Sequence, residues 1–391
     1  MSDYQTYRIP CMIMRGGTSK GLFFLEEDLP KNQDQRDQLL LRIMGSPDQK
    51  QIDGLGGATS VTSKVAILKK SEHPAADVDY TFAQVSVDKP FVSYSGNCGN
   101  ISSAVGAFAL EKKLLPIQEG STCVRIYNVN TDKLIYADLC TENGRVMYTG
   151  EYEIAGVPGG AAPVRLSFIK PEGTLGKGLL PTGNVRDILD IPQFGPVEVS
   201  IVDAANPLVF VKAGSIGMKG TELLSDLDSE KLNLLEAIRG AAALKLGLIS
   251  EVSRSAWDSA GVPKMTIVSA AVSHSISNGA VLEESAMDII GRMMSMQKPH
   301  ATYAMTGAVC TVAAAAVPGS IVNECLKPGV DLKNMRIAHP GGIMEAGVEY
   351  SAGESGVRID RIWGYRTANL LMEGTCTGFI KYNCKMKGQK E

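Results

Sequence analysis

The chain has 391 residues, 44% of them hydrophobic and 21% charged, with a formal net charge of −3. That length and apolar content suit a globular protein of two or three domains with a sizeable core. The scatter of Lys and Arg leaves no basic run to serve as a phosphate footprint, which excludes nucleic acid as the main partner but not a small anion.

The first ten residues, MSDYQTYRIP, carry neither a charged n-region nor an apolar h-region, so no secretory signal is expected. No apolar stretch reaches the roughly 18 residues of a membrane span, and a cytoplasmic location away from membranes is the expectation. The eight cysteines, at 11, 98, 123, 140, 310, 325, 376 and 384, include no C-x-x-C pair. Free thiols are expected, not a disulfide framework or a zinc site. The four histidines, at 73, 274, 300 and 339, are too far apart for a local ligand pair. No metal and no cofactor is expected.

In chain order, 7–14 and 21–25 read as strands flanking the polar loop RGGTSKG at 15–21. Residues 34–44 read as a helix, with Leu39, Leu40 and Ile43 on one face and Gly45 as stop. The loop IDGLGGATSVTSK at 52–64 precedes a VAIL strand, and strands follow at 80–88 and 90–94. Next comes GNCGNISSAVGAFAL at 96–110. Gly96 and Gly99 allow a concave turn with converging N–H groups, and the remainder is apolar or small on every face, as in a helix buried all round. Cys98 falls at the mouth of that helix, where free N–H groups and the dipole favour a substrate carboxylate or a thiolate. A Gly-rich turn before a core helix with an inert cysteine fits this pentapeptide equally well.

Strands resume at 123–129, 134–139 and 145–149, with a hairpin turn at Glu142-Asn143-Gly144. The Pro- and Gly-rich stretch 157–185 marks the domain boundary, giving domains 1–185 and 186–391, with the final strand free to return to the first. Strands are expected at 197–203, 208–212 and 265–272. A long helix capped by Thr221 is expected within 221–247, and a Met-rich helix, with Met293, Met294 and Met296 filling a core or an interface, at 284–296. TGAVCTVAAAA at 306–316 repeats the pattern at 96–110: a cysteine, Cys310, and a helix of small residues. Two similar domains each threading a small-residue helix through a β-rich shell follow from this, with two helix N-termini facing an interdomain cleft. Self-association into a homo-oligomer is compatible with this composition.

MRGGTSKG (14–21), DGLGG (53–57), TSK (62–64), AADVDYTFAQVS (75–86 region), GNCGN (96–100) and HPGG (339–342), in this order, resemble the methylaconitate/methylitaconate isomerase family. The resemblance runs from about residue 7 to the C-terminus. It implies an α+β, diaminopimelate-epimerase-like fold: two similar domains, each a β-barrel-like sheet around a central helix, with the active site between them. It also implies cofactor-independent proton transfer on small unsaturated di- and tricarboxylates, as in 2-methylaconitate, 3-methylitaconate and 4-oxalomesaconate isomerases. Carried over residue by residue, the catalytic pair is Lys64 and Cys98. Two departures stand out. Asn369 occupies a position where relatives often have Arg, removing one carboxylate clamp. The second half offers Thr306 and Gly307 where amino-acid epimerases of this fold place a second cysteine, so a two-cysteine mechanism is not carried over.

A 1,3-proton shift beside a carboxylate needs a base, donors for the enolate-like charge and an acid at the distal carbon. Lys64 as base needs desolvation or a nearby cation; otherwise it is a surface lysine at a strand start. Cys98 serves as acid or as thiolate. Candidate substrate donors are Thr18, Ser19 and Lys20 in the first loop, Asn97, Gly99 and Asn100 at the helix start, and Lys264, Thr306, Gly307 and His339 in the second half. The phosphate-loop pattern G-x-x-x-x-G-K-[ST] is absent, against nucleotide binding. Cys11, Cys123, Cys140, Cys325, Cys376 and Cys384 are expected to pack as small hydrophobes. Two rival readings are an amino-acid racemase, which needs a cysteine facing Cys98, and a non-catalytic carboxylate-binding protein.

Overall fold

The computed structural model describes residues 4–353 and 356–381. The first half runs β1 (Tyr4–Gly16), β2 (Ser19–Leu25), α1 (Gln33–Met44), β3 (Lys64–Lys70), β4 (Val78–Val85), β5 (Val92–Ser93) and α2 (Gly99–Glu111). It continues through β6 (Gly120–Asn128), β7 (Lys133–Glu142), β8 (Arg145–Val146) and β9 (Pro163–Ile169). Each boundary has a local cause. Asn32 caps α1 by accepting the Gln35 N–H, and Gly45, at φ 75°, stops it. Asn143 and Gly144 take φ 51° and 71° in the β7–β8 hairpin, as a tight primed turn requires.

The second half runs β10 (Asp187–Ile191), β11 (Gly195–Ala204), β12 (Asn206–Lys212), α3 (Ser229–Lys245), α4 (Ser255–Asp258) and β13 (Lys264–Ser269). A short hairpin, β14 (His274–Ser275) and β15 (Val281–Leu282), precedes β16 (Ile289–Ser295), β17 (Lys298–Pro299), α5 (Met305–Ala315) and α6 (Ile321–Cys325). The chain ends in β18 (Met335–His339), β19 (Gly342–Gly353) and the long β20 (Gly356–Lys381).

The halves repeat one topology. From β1 the ladder goes antiparallel to β2, parallel to β3, antiparallel to β4, parallel to β6, then antiparallel to β7. From β11 it goes antiparallel to β12, parallel to β13, antiparallel to β16, parallel to β18, then antiparallel to β19. The helices fall at matching points: α1 and α3 link the first parallel pair of each half, α2 and α5 the second. In the first half β7, β9, β20 and β1 pair in turn and close the ring. The single strand β20 pairs with β19 and β9 in its first part and with β1 beyond Thr367, so it belongs to both sheets.

A helix without a polar face must lie inside such a shell. Every residue of α2 from Gly99 to Leu110, and every residue of α5, is buried. Gly106 of α2 is held so tightly that an added Cβ would stand 2.7 Å from Leu139 Cδ1. Residues from both helices and both sheets share one apolar core. Among the described residues no helix is long and apolar enough to cross a membrane.

Three sequence expectations need correction. The Met-rich segment 284–296 is not a helix: Ile289–Ser295 is a strand between β13 and β18. A strand covered on both faces reads as a continuous apolar run, which resembles a short buried helix in sequence. The helix expected from Thr221 begins only at Ser229, capped by Asp228, whose carboxylate accepts the Lys231 N–H at 2.9 Å. Glu222 instead takes the N–H groups of Lys219 and Gly220 and holds that stretch as a loop. Cys123 is exposed, unlike buried Cys11, Cys325 and Cys376 or half-buried Cys140, because β6 alternates and turns Cys123 outward beside Arg125. Cys384 lies outside the described residues.

Candidate active site

The two central helices begin side by side. An added Cβ on Gly99 would stand 2.9 Å from Met305 Cβ and 3.2 Å from Thr306 N, so only glycine lets the ends approach this closely. Asn206, wholly buried at the start of β12, joins them. Its Oδ1 accepts the Asn97 N–H at 3.1 Å, and its Nδ2 donates to Asn97 O at 3.0 Å and Thr306 Oγ1 at 3.2 Å. The helix caps are Cys98 and Ala304, and neither makes a side-chain cap bond. First-turn N–H groups of both helices therefore stay available, with both dipoles favouring negative charge.

Between the helix starts lies a cavity of about 50 Å³ whose walls include Ser19, Lys64, Cys98, Lys264, His300 and Thr306. Lys64 opens β3 and is only 8% exposed. Its Nζ donates to Gln84 Oε1 at 2.6 Å and lies 5.3 Å from the centre of the Phe82 ring. Gln84 is itself pinned, its Nε2 donating to Ser63 O at 3.0 Å and Ser60 O at 3.1 Å. Lys264 opens β13, the strand corresponding to β3 in the repeat, and likewise faces the cavity. Removal from bulk water pushes its amine down to about 8, with Cys98 opposing the shift and Lys64 adding to it. The ammonium of one lysine thus bears on the other across the site.

His300 is pushed down to about 4, chiefly by burial and then by the charge of Lys64, so its ring is neutral at neutral pH. Nδ1 accepts the Thr302 N–H at 3.1 Å, which leaves the proton on Nε2. Ser19 is 3% exposed, and its Oγ has no partner among the described residues. A buried hydroxyl without a partner is costly in a finished core and suits a ligand-facing position. The cavity therefore gathers two amines, a thiol, a neutral imidazole and the unpartnered Ser19 hydroxyl against two helix N-termini. Such a set can hold carboxylates and exchange protons with a bound acid.

Of the sequence-derived site residues, the structure brings Ser19, Lys64, Asn97, Cys98, Gly99, Asn100, Lys264 and Thr306 to this cavity. Lys20 is half-buried on β2, its backbone N–H given to Val61 O, and its side chain is not among the lining groups. Gly307 lies within the first turn of α5 with the Met293 methyl packed against it. Thr18 and His339 line a second, larger cavity of about 330 Å³. His339 is buried there and held well below its usual range by burial, Arg366 and then His300, while its Nδ1 accepts the Gly341 N–H at 3.1 Å.

Sequence reading missed Gln84, His300 and Asn206. Gln84 faces Lys64 only through the β3–β4 register, whereas the isolated Asn-Pro at 206–207 carries no distinguishing pattern. Cys310 does not face Cys98. It is buried in α5, its Sγ donating to Val202 O at 3.2 Å, and burial pushes its thiol up. Among the described residues no group of three or more His, Cys, Asp or Glu is arranged to hold a metal ion.

The family described as PrpF protein matches residues 6–378. A 3-methylitaconate isomerase of Eubacterium barkeri is 43% identical over 377 residues, covering 96% of this chain and 97% of that protein. A 2-methyl-aconitate isomerase of Cupriavidus necator is 40% identical over 389 residues, covering 96% and 98%. Among solved structures, a methylitaconate-delta-isomerase superposes with a TM-score of 0.78 at 42% identity, covering 96% of each chain. The two repeated halves, each a sheet around a buried helix, are the diaminopimelate-epimerase-like fold expected from the sequence.

Proposed function

This chain belongs to the PrpF protein family, and from that premise we propose that it is an isomerase moving a proton within a small unsaturated di- or tricarboxylate. The convergence of Lys64, Cys98 and Lys264 on one cavity at two joined helix N-termini carries this reading. The substrate carboxylates sit against the first-turn N–H groups, Ser19 Oγ and the Lys264 ammonium. Lys64, oriented by Gln84, takes a proton from the carbon next to the carboxylate-conjugated double bond. The C–H electron pair enters the allylic system, and the charge it carries towards the carboxylate is held by the same donors. The Cys98 thiol gives its proton to the distal carbon, the double bond shifts, and the thiolate is reprotonated from the Lys64 ammonium, directly or through water.

The family's range of acids sets the test. The protein is incubated in D₂O with methylitaconate, cis- and trans-aconitate, 2-methylaconitate and oxalomesaconate, each followed by proton NMR. Deuterium entering one acid together with a moved or isomerised double bond is the expected result. Binding without exchange across the panel would instead identify a carboxylate-binding protein. The racemase reading lacks support, since Cys310 is turned into the core and the second central helix is capped by Ala304 where the first is capped by Cys98.

A further inference from the structure

The second cavity has no part in the proton transfer above, yet it is larger than the reacting one. At its wall lies Arg366, 4% exposed. Its guanidinium donates through Nε to Asn100 Oδ1 at 3.2 Å and through NH1 to Tyr365 O at 2.8 Å, and NH2 meets only Met344 Sδ. None of these partners carries charge. The other guanidinium lining the cavity, that of Arg336, is already paired with Asp288 at 2.6 Å. A buried cation without a counter-charge is costly unless something supplies one. The two carboxylates that line this cavity, Glu153 and Glu345, are exposed residues at its rim and make no ion pair with Arg366.

We infer that this cavity is a binding site for a small monocarboxylate, its carboxylate on the Arg366 guanidinium and its far end, neutral or cationic, towards Glu153 and Glu345. Tyr152 lines the same cavity, close enough to Glu345 and Arg366 to feel both charges, and offers a phenol to the ligand. The acidic rim selects against a second carboxylate at the outer end, so the site differs in chemistry from the polycarboxylate cavity. The two are linked by hydrogen bonds. Asn100 Nδ2 donates to Thr18 Oγ1 at 3.1 Å, Thr302 Oγ1 donates to the same oxygen at 3.2 Å, and the Thr302 N–H reaches His300. A carboxylate drawn onto Arg366 competes with Asn100, which sits in the first turn of α2.

The test is direct binding of carboxyl-¹³C β-alanine to the full-length protein by NMR and calorimetry, with malonate as the comparison. One β-alanine per chain is expected, with malonate present or absent, and binding weakens roughly 10- to 100-fold in Arg366→Met, the worth of charge-assisted bonds to a buried guanidinium. Filling the cavity with Ile343→Trp or Ala155→Phe, both lining residues, removes β-alanine binding while malonate still binds. No β-alanine binding to the wild-type protein, or displacement by malonate at equal concentration, overturns the inference. So does unchanged affinity in Arg366→Met or in both filling variants. Because the readout needs no turnover, silence in the isomerase panel leaves it untouched.

Discussion

Lys264 sets the pH behaviour expected of single residues. With its amine pushed down to about 8, it is a cation below that pH and neutral above, so the clamp on a substrate carboxylate weakens as pH rises. The limb belongs to the free enzyme, and kcat/KM is therefore expected to fall above about pH 8 while kcat changes less. Lys264→Arg keeps its charge and moves that fall to higher pH; an unmoved limb would contradict the clamp. Gln84 acts on Lys64 by position. Gln84→Leu releases the amine, and kcat is expected to drop by roughly 100-fold, the cost of a reacting group displaced by about an ångström. Histidines give a separate signature. His300 near 4 and His339 well below its usual value are neutral in the fold but protonate near 6.5 once unfolded. The unfolded chain thus binds more protons between about pH 6.5 and 4, and stability is lost as pH falls through that window. Thermal unfolding followed across it checks the sign, with a flatter profile expected for His300→Gln.

At the scale of elements, the juxtaposed starts of α2 and α5 are the feature most exposed to a single substitution. Gly99→Ala places a methyl 2.9 Å from Met305 Cβ and must part the helix ends. It is expected to cost about 1–3 kcal/mol of stability, as overpacking does, and to lower activity more than Gly106→Ala, whose crowding against Leu139 lies deeper in the helix. The sequence made α2 and α5 legible because a helix lacking any polar residue face can only be central. β16 was not legible, because Ile289 to Ser295 is short, apolar throughout and covered on both sides, so periodicity cannot separate strand from helix. Lys64 and Cys98 stood out as parts of contiguous motifs, TSK and GNCGN. Gln84, His300 and Asn206 reach the site only through strand register and the approach of the halves, which local pattern does not carry.

Taken whole, the molecule is one topology used twice, with β20 shared between the two sheets. The repeat explains why two lysines, Lys64 and Lys264, open corresponding strands, and it breaks at the helix starts, where Cys98 caps one central helix and Ala304 the other. Asn206 ties both helix starts beside the site between the halves, and Asn206→Ala, which loosens them, is expected to raise KM more than it lowers kcat, measured on whichever acid turns over. In the proposed reaction Lys64 takes a proton from the bound unsaturated acid and Cys98 returns one to its distal carbon. Deuterium wash-in from D₂O tests it most directly, comparing wild type with Lys64→Met and Cys98→Ser on the acid that exchanges. The account predicts wash-in by wild type and its loss in both variants, each still folded and still binding the acid. Wash-in at the wild-type rate in either variant would contradict it.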